Sequence, residues 1–230
     1  MDHDYSKNGI TPEALLGELN EVERKHAPER LYLQGNIDLL RQGLRIAVVG
    51  SRSVSDHGKR RARSLVKTLV EHDVTVVSGL AQGVDTIAHT TALECGGNTV
   101  AVIGTPLDSF YPKENRQLQE TIARQHAVVS QFARGKPVTK RSFPMRNRTM
   151  ALLSDATIIV EAGEKSGTIH QAWEALRLGR ILFIMESLLE SGLDWPDELV
   201  KYGAQVLTRN SLVNYLENSH RLDWDEVVAF

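Results

Sequence analysis

Between residues 46 and 185 the chain alternates short apolar runs with amphipathic stretches, and this alternation narrows the possible folds more than any other feature. The runs are Ile46–Val49, Val74–Val77, Thr99–Ile103, Ala127–Val129, Thr157–Val160 and Ile181–Met185. They are β-branched and apolar throughout, with no polar alternation, so both faces of each strand must be covered. The stretches between them, at about residues 57–72, 84–95, 113–125, 145–153 and 167–178, carry helical spacing. Strand–helix alternation repeated in this way predicts an α/β fold: a doubly wound, mostly parallel sheet with helices on both faces.

The flanks read differently. Thr11-Pro12-Glu13 is a good helix start, and Leu15, Leu16, Leu19 and Val22 recur at helical spacing behind it. A connector with Leu31, Leu33, Leu39 and Leu40 follows, punctuated by Gly35 and Gly43. Residues 1–43 are therefore expected to form a helical extension packed on a core domain of residues 44–218. Within that domain a weaker last unit comprises a short helix opening at Asp194, an edge strand at Ala204–Leu207 and a helix from Ser211 to Leu216. Residues 219–230 form a tail whose apolar stretch, Trp224 to Phe230, is expected to dock on this chain or on a partner. With 230 residues, 41% of them hydrophobic, the chain can bury a core without disulfides or metal. Its one cysteine, Cys95, excludes an intramolecular disulfide, fits a reducing cytoplasm and is expected to be a packed small hydrophobe at a helix end. No apolar run is long enough for a signal peptide or a membrane span, so a cytoplasmic protein with no membrane contact is expected.

Net charge is −2, yet Gln131 to Met150 hold Arg134, Lys136, Lys140, Arg141, Arg146 and Arg148 with no acidic residue among them. A basic segment on a near-neutral protein suggests a local anion site or a solvated loop. In open parallel sheets ligands bind beyond the carboxyl ends of the strands, so the loops there matter most. After the first run comes Gly50-Ser51-Arg52; after the second, Ser78-Gly79 through Gly83; after the fifth, Gly163 through Lys165-Ser166-Gly167-Thr168. Glycines, free helix-start amides and the charges of Arg52 and Lys165 would together make a phosphate cradle. Phe143-Pro144-Met145-Arg146-Asn147-Arg148 offers a stacking ring and polar groups for phosphates or base edges. Asp85 and His89 share a helix face; they could relay a proton or bind metal, or Asp85 could bond nearby amides with His89 packed beside it. No G-x-G-x-x-G follows the first strand, the P-loop spacing is not met, and there is no Cys/His cluster or G-x-S-x-G elbow. The expectation is therefore no cofactor, no metal and no catalytic residue.

Val49-Gly50-Ser51-Arg52, Ser78 through Asp85 with Ala88-His89, Tyr111-Pro112, Phe143 through Arg148, Val160-Glu161-Ala162 and Ser166-Gly167 resemble the DprA/Smf family, in order and spacing, from about Leu31 to Met185. The resemblance implies an extended Rossmann-like fold, single-stranded DNA held in a positive pocket, delivery of that DNA to a RecA-type recombinase during transformation, a homodimer and no catalysis. It places Arg52, Arg146, Asn147, Arg148, Lys165, Ser166 and Gly167 in the pocket. The full N-terminal helical domain and the C-terminal winged helix of many members are not expected here. The family usually reads Ser-Gly-Ser-Leu-Ile-Thr-Ala where this chain has Ser166-Gly167-Thr168-Ile169-His170-Gln171-Ala172, and Pro-Gly where it has Glu186-Ser187. An alternative is a nucleotide-binding sensor or a nucleotide N-glycosidic hydrolase of the wider lysine-decarboxylase-like superfamily. Those proteins resemble P-G-G-x-G-T-x-x-E; here Gln171 stands at the position of the Glu, and an amide is no carboxylate base. Glu161, Glu164 or Glu174 would have to substitute.

Overall fold

A computed structural model describes residues 4–219 of the chain. The tail from Trp224 to Phe230 lies outside the described residues. The strands are β1 (Tyr32–Gly35), β2 (Arg45–Val49), β3 (Thr75–Ser78), β4 (Thr99–Ile103), β5 (Ala127–Ser130), β6 (Ala156–Ile159), β7 (Ile181–Met185) and β8 (Gln205–Leu207). The helices are α1 (Tyr5–Asn8), α2 (Pro12–Leu16), α3 (Glu21–His26), α4 (Asp56–Glu71), α5 (Val84–Glu94), α6 (Arg116–Gln125), α7 (Ser142–Leu152), α8 (Gly167–Arg177), α9 (Glu186–Leu189), α10 (Asp194–Lys201) and α11 (Arg209–Ser219).

All eight strands form one sheet in the order β1-β5-β4-β3-β2-β6-β7-β8. Only β1 runs antiparallel to its neighbour, with Leu33 opposite Val129. The chain moves outward from β2 to β5, then returns across β2 to lay β6 beside it, with Val49 opposite Ile159. The order of strands thus reverses between β2 and β6, and the crevice beyond their carboxyl ends is where such sheets hold ligands.

Alternation along the strands builds the two covering layers. Ala47 and Val49 of β2 pack with Met150, Leu153 and Ala172 of the α7–α8 side. Ile46 and Val48 turn the other way, onto Ala62, Leu65, Val66 and Leu69 of α4 and Ala88 and Ala92 of α5. Farther along that same face, Ala101, Ile103 and Val128 meet Ile122 of α6. The central strands β3 to β6 are buried along their whole length on both faces, which is why their sequences lack polar alternation.

The structure differs from the sequence reading at the flanks. Part of the connector is a strand, β1: Leu33 lies within it and Leu31 just before it, bridged to Ile10; both leucines are buried, and the residues after them are not. The helix expected from Pro12 onward is two. Gly17, at φ 87, ends α2, and Asn20 with Glu23 forms a reciprocal cap that starts α3. The break rotates Val22 out of the apolar stripe, and it stands 44% exposed. Cys95, at the C-terminal cap of α5, is exposed rather than packed, because α5 stops one residue before it.

Candidate anion-binding cleft at the strand switch

Three backbone segments meet beyond β2 and β6. The Ser51 amide donates to the Glu161 carbonyl (2.6 Å), and the Val84 amide donates to the Ser51 carbonyl (3.1 Å). Gly50 permits this closeness: a Cβ there would stand 2.6 Å from a Val84 methyl and 2.8 Å from the Glu161 carbonyl oxygen. The Glu161 carboxylate accepts from the Ser55 amide (2.8 Å) and from its hydroxyl (2.5 Å), fixing the start of α4. Loops after three different strands are thereby held as one frame.

Against that frame lies a cleft of about 500 Å³. Gly50, Ser51 and Arg52 line one wall. Phe143, Arg146 and Asn147 of α7 line a second, and Lys165, Ser166, Gly167 and Thr168 at the start of α8 a third. Ser166 caps α8, its hydroxyl accepting from the Thr168 amide (3.2 Å), and the Asn147 amide donates to the Gly167 carbonyl (3.1 Å), locking α7 to α8. The N-terminus of an eleven-residue helix therefore opens into the cleft with its partial positive charge. Gly163 and Gly167 also line it. A Cβ at either would meet nothing within 4 Å, so the fold itself gives no steric reason for glycine there. What a side chain would fill is the cleft.

The electrostatics point the same way. Arg52 and Lys165 are exposed and form no ion pair among the described residues. Arg52 leans over the Phe143 ring, 5.8 Å from its centroid. Arg146 is 6% exposed. It donates to the Gly79 and Val102 carbonyls. Its guanidinium is made easier to deprotonate first by burial and also by the nearby Arg52, while Asp85 opposes both. Burial raises the Asp85 carboxyl above its ordinary value, with Arg146 pulling it back. The cleft's cations, Arg52, Lys165 and Arg146, outnumber its carboxylates, Asp85 and Glu164, and the helix start adds partial positive charge.

The sequence-nominated residues divide at this point. Gly50, Ser51, Arg52, Phe143, Arg146, Asn147, Lys165, Ser166, Gly167 and Thr168 are brought together around the cleft. Ser78, Gly79, Gly83 and Arg148 are not among its lining. The Ser78 hydroxyl is buried and donates to the Val48 carbonyl (2.7 Å). Gly79 lies under the Arg146 guanidinium, and Gly83 backs the Ser51–Arg52 turn. Arg148 points to α8, where both its guanidinium contacts with Glu174 are 3.1 Å. Sequence reasoning did not nominate Met150 as lining, and it set Gln171 aside only as a missing carboxylate; both line the cleft. Helical spacing was the available signal, since Gln171 follows Gly167 by four residues and Met150 follows Arg146 by four. Of the carboxylates considered as hydrolytic bases, Glu161 is engaged as described, and Glu174 is held by Arg148 and Arg177; Glu164 alone of the three lines the cleft.

Asp85 and His89 are buried structural groups. Asp85 accepts from the Ala81 amide (3.3 Å), and His89 Nδ1 bonds Thr99 Oγ1 (2.7 Å). Burial drives the His89 imidazole down from 6.5 to about 3. Below pH 6.5 the unfolded chain takes up a proton that the folded one refuses, so stability falls as pH drops from 6.5 toward 3, by about 1.4 kcal/mol per pH unit at most. Asp85, raised, acts in the opposite sense below its own folded value. His89→Gln is expected to flatten the His89 part of the acid loss. Urea unfolding of both proteins between pH 7 and 4 checks it, and parallel curves would refute it.

The chain matches the profile of the family described as DNA recombination-mediator protein A over residues 2–217. It is 42% identical over 183 residues to the DNA processing protein DprA of Streptococcus pneumoniae, covering 79% of this chain and 64% of that relative. The chain thus spans less than two thirds of that relative's length. The X-ray structure of the Streptococcus pneumoniae protein superposes with a TM-score of 0.73 over the same shares of the two chains. A structure of DNA processing protein A from Helicobacter pylori, described by its single-stranded DNA binding mode, superposes with a TM-score of 0.76 at 29% identity, covering 95% of this chain and 98% of that one. The molybdenum cofactor carrier protein of Chlamydomonas reinhardtii, at 18% identity and a TM-score of 0.53 over 77% of this chain and 99% of that one, shares the fold alone. A profile match across nearly the whole chain, a relative at 42% identity and the strand-switch cleft agree: this chain belongs to the DNA recombination-mediator protein A family, the DprA/Smf proteins.

Proposed function

We propose that the cleft binds single-stranded DNA, its phosphates held by Arg52, Lys165 and the first amides of α8. The observation that carries this reading is an open cleft bordered by two unpaired cations, Lys165 beside the α8 start and Arg52 on another wall. A polymer suits it better than a single nucleotide. A second cleft of about 390 Å³, lined by Phe110, Tyr111, Pro112 and Lys113, shares Arg52 and Ala81 with the first. Tyr111 is exposed and lies 5.1 Å from Phe143, centroid to centroid, so rings border both clefts where successive bases would stack. The Helicobacter pylori relative, named for its single-stranded DNA binding mode, supports the reading. No observation favours a hydrolase over a binding protein: Gln171 cannot act as a base, and two of the three candidate carboxylates are committed elsewhere. Family membership adds two further proposals, a homodimer and transfer of the bound strand to a RecA-type recombinase; sedimentation and a binding assay with such a recombinase test them. No helix among the described residues is long and apolar enough to cross a membrane.

The test is fluorescence anisotropy of labelled oligo-dT at two salt concentrations, with Arg52→Ala beside the wild type. Affinity is expected to fall about tenfold or more in the variant, as for a lost charge-assisted contact. The salt slope should shrink by about 0.7 for each phosphate contact removed. Stability should change by less than about 1 kcal/mol, since the side chain is exposed, forms no ion pair and gives up only its contact with the Phe143 ring. Equal binding by both proteins would sink the proposed site.

A further inference from the structure

Helix α4 is charged against its own electrostatics. Lys59, Arg60, Arg61 and Arg63 all sit in its N-terminal half, on the partly positive side of the dipole, and its last turn holds Glu71 and no basic residue. Lys59 is neutralised by Asp56 at 2.8 Å. Arg60, Arg63 and Lys67 are exposed, three and four residues apart along one side of the helix. None of them forms an ion pair among the described residues, although Glu71 lies four residues past Lys67, and half-buried Arg61 is likewise unpaired. Like charges at this spacing repel and weaken a helix. In a chain of net charge −2 the general composition does not account for such a row. A counter-charge brought by a ligand would.

The place of the row says which ligand. Ser53 lines the cleft, Ser55 caps α4 two residues later, and Glu161 ties that cap to the loop after β6. The outer side of α4 therefore begins at the rim of the cleft, and Arg60 to Lys67 carry it onward for about 10.5 Å. No large hydrophobic residue is exposed on α4, so a protein partner would find no apolar anchor there.

Resting on the single-stranded DNA reading above, we propose that Arg60, Arg63 and Lys67 form a second anion surface, which takes phosphates of the same strand where it leaves the cleft past Arg52. Flexible cations without an aromatic neighbour on the helix hold backbone and read no base. The cleft fixes where the strand lies, and α4 lengthens the contact.

The experiment measures dissociation constants for an oligo-dT of about twenty nucleotides, longer than the usual single-strand site, over a series of salt concentrations. It compares the wild type, the triple variant Arg60→Gln/Arg63→Gln/Lys67→Gln, and a control with the same change in charge, Lys25→Gln/Arg41→Gln/Lys201→Gln. The control residues are exposed, form no ion pair among the described residues and lie outside the cleft lining. The α4 variant is expected to bind about tenfold or more weakly and to lose about 2 from the salt slope, about 0.7 for each phosphate contact. The control is expected to stay within about twofold of the wild type, since remote charges are screened. Thermal unfolding of the α4 variant should come no lower than that of the wild type, because the repulsion along the helix is gone. If the α4 variant binds like the wild type, or the control loses as much, the second surface is overturned, while the cleft stands or falls separately with Arg52→Ala. If the wild type does not bind oligo-dT, the single-stranded DNA reading fails and this inference with it. If the triple variant does not fold, Arg63→Gln and Lys67→Gln decide singly, each expected to lower the slope by about 0.7.

Discussion

Arg146→Met lowers stability by about 3–5 kcal/mol at neutral pH in urea unfolding, the range for stripping one member from a buried charge pair. The substitution nearly preserves side-chain length but removes the donors to the Gly79 and Val102 carbonyls. It also takes away the positive charge that opposes the burial penalty on Asp85. The pH dependence separates these losses. With Arg146 present the Asp85 carboxyl already titrates above its ordinary 3.8; without it the folded-state value rises further. A group raised in the folded state holds its proton there longer than in the unfolded chain, so its penalty is full only above the folded value. It disappears as pH falls through the folded value toward 3.8. The deficit of the variant should therefore be largest at pH 7 and shrink in acid, leaving what the orphaned carbonyls cost. A loss below about 1 kcal/mol at neutral pH would mean that the buried arginine is not the keystone between α7, β3 and β4 that its contacts describe.

Gly83→Ala costs about 3 kcal/mol, for two separable reasons. Gly83 holds φ 80 and ψ −125, a conformation open to glycine and strained for any L residue. A Cβ there would also overlap the Ser51 carbonyl oxygen and stand 2.6 Å from that of Arg52. The second conflict is with backbone, which cannot swing aside as a side chain would. Relief requires lifting the Ser51–Arg52 turn away from the α5 start and breaking the Val84-to-Ser51 hydrogen bond. The variant should consequently lose affinity for oligo-dT as well as stability, though Gly83 itself does not line the cleft. Wild-type unfolding and binding in this variant would contradict the close packing of the two loops.

What could be read in the sequence follows from how locally each feature is encoded. Strands β2 to β7 declare themselves because each must be apolar on both faces. β1 hides because it is four residues long at the sheet edge, and Leu31 and Leu33 alone do not distinguish a strand from a connector. The doubly wound, mostly parallel arrangement was legible from alternation; the position of the reversal between β2 and β6 was not, since no residue marks which neighbour a returning strand will choose. Glycines misled most in the second loop, where Gly79 and Gly83 serve close packing, whereas Gly163 and Gly167 open onto the cleft. A sequence writes both uses with one letter. Arg146 and Arg148 show the same limit. Two residues apart on α7, they cannot face the same way, so one drops into the floor of the cleft and the other crosses to Glu174.

The strand reversal has a consequence in time as well as in space. Arg45 and Asp155, joined by a 3.0 Å ion pair at the amino ends of β2 and β6, are 110 positions apart, and Ser55 and Glu161, beyond the carboxyl ends of the same strands, are 106. A chain emerging from the ribosome can lay down β2 through β5 and cover them, yet it has no cleft until β6 and α8 arrive and insert beside a strand made long before. Neither half of the nascent protein carries the binding surface. A ligand that needs both walls recognises only the finished molecule and, by mass action, stabilises it as a whole.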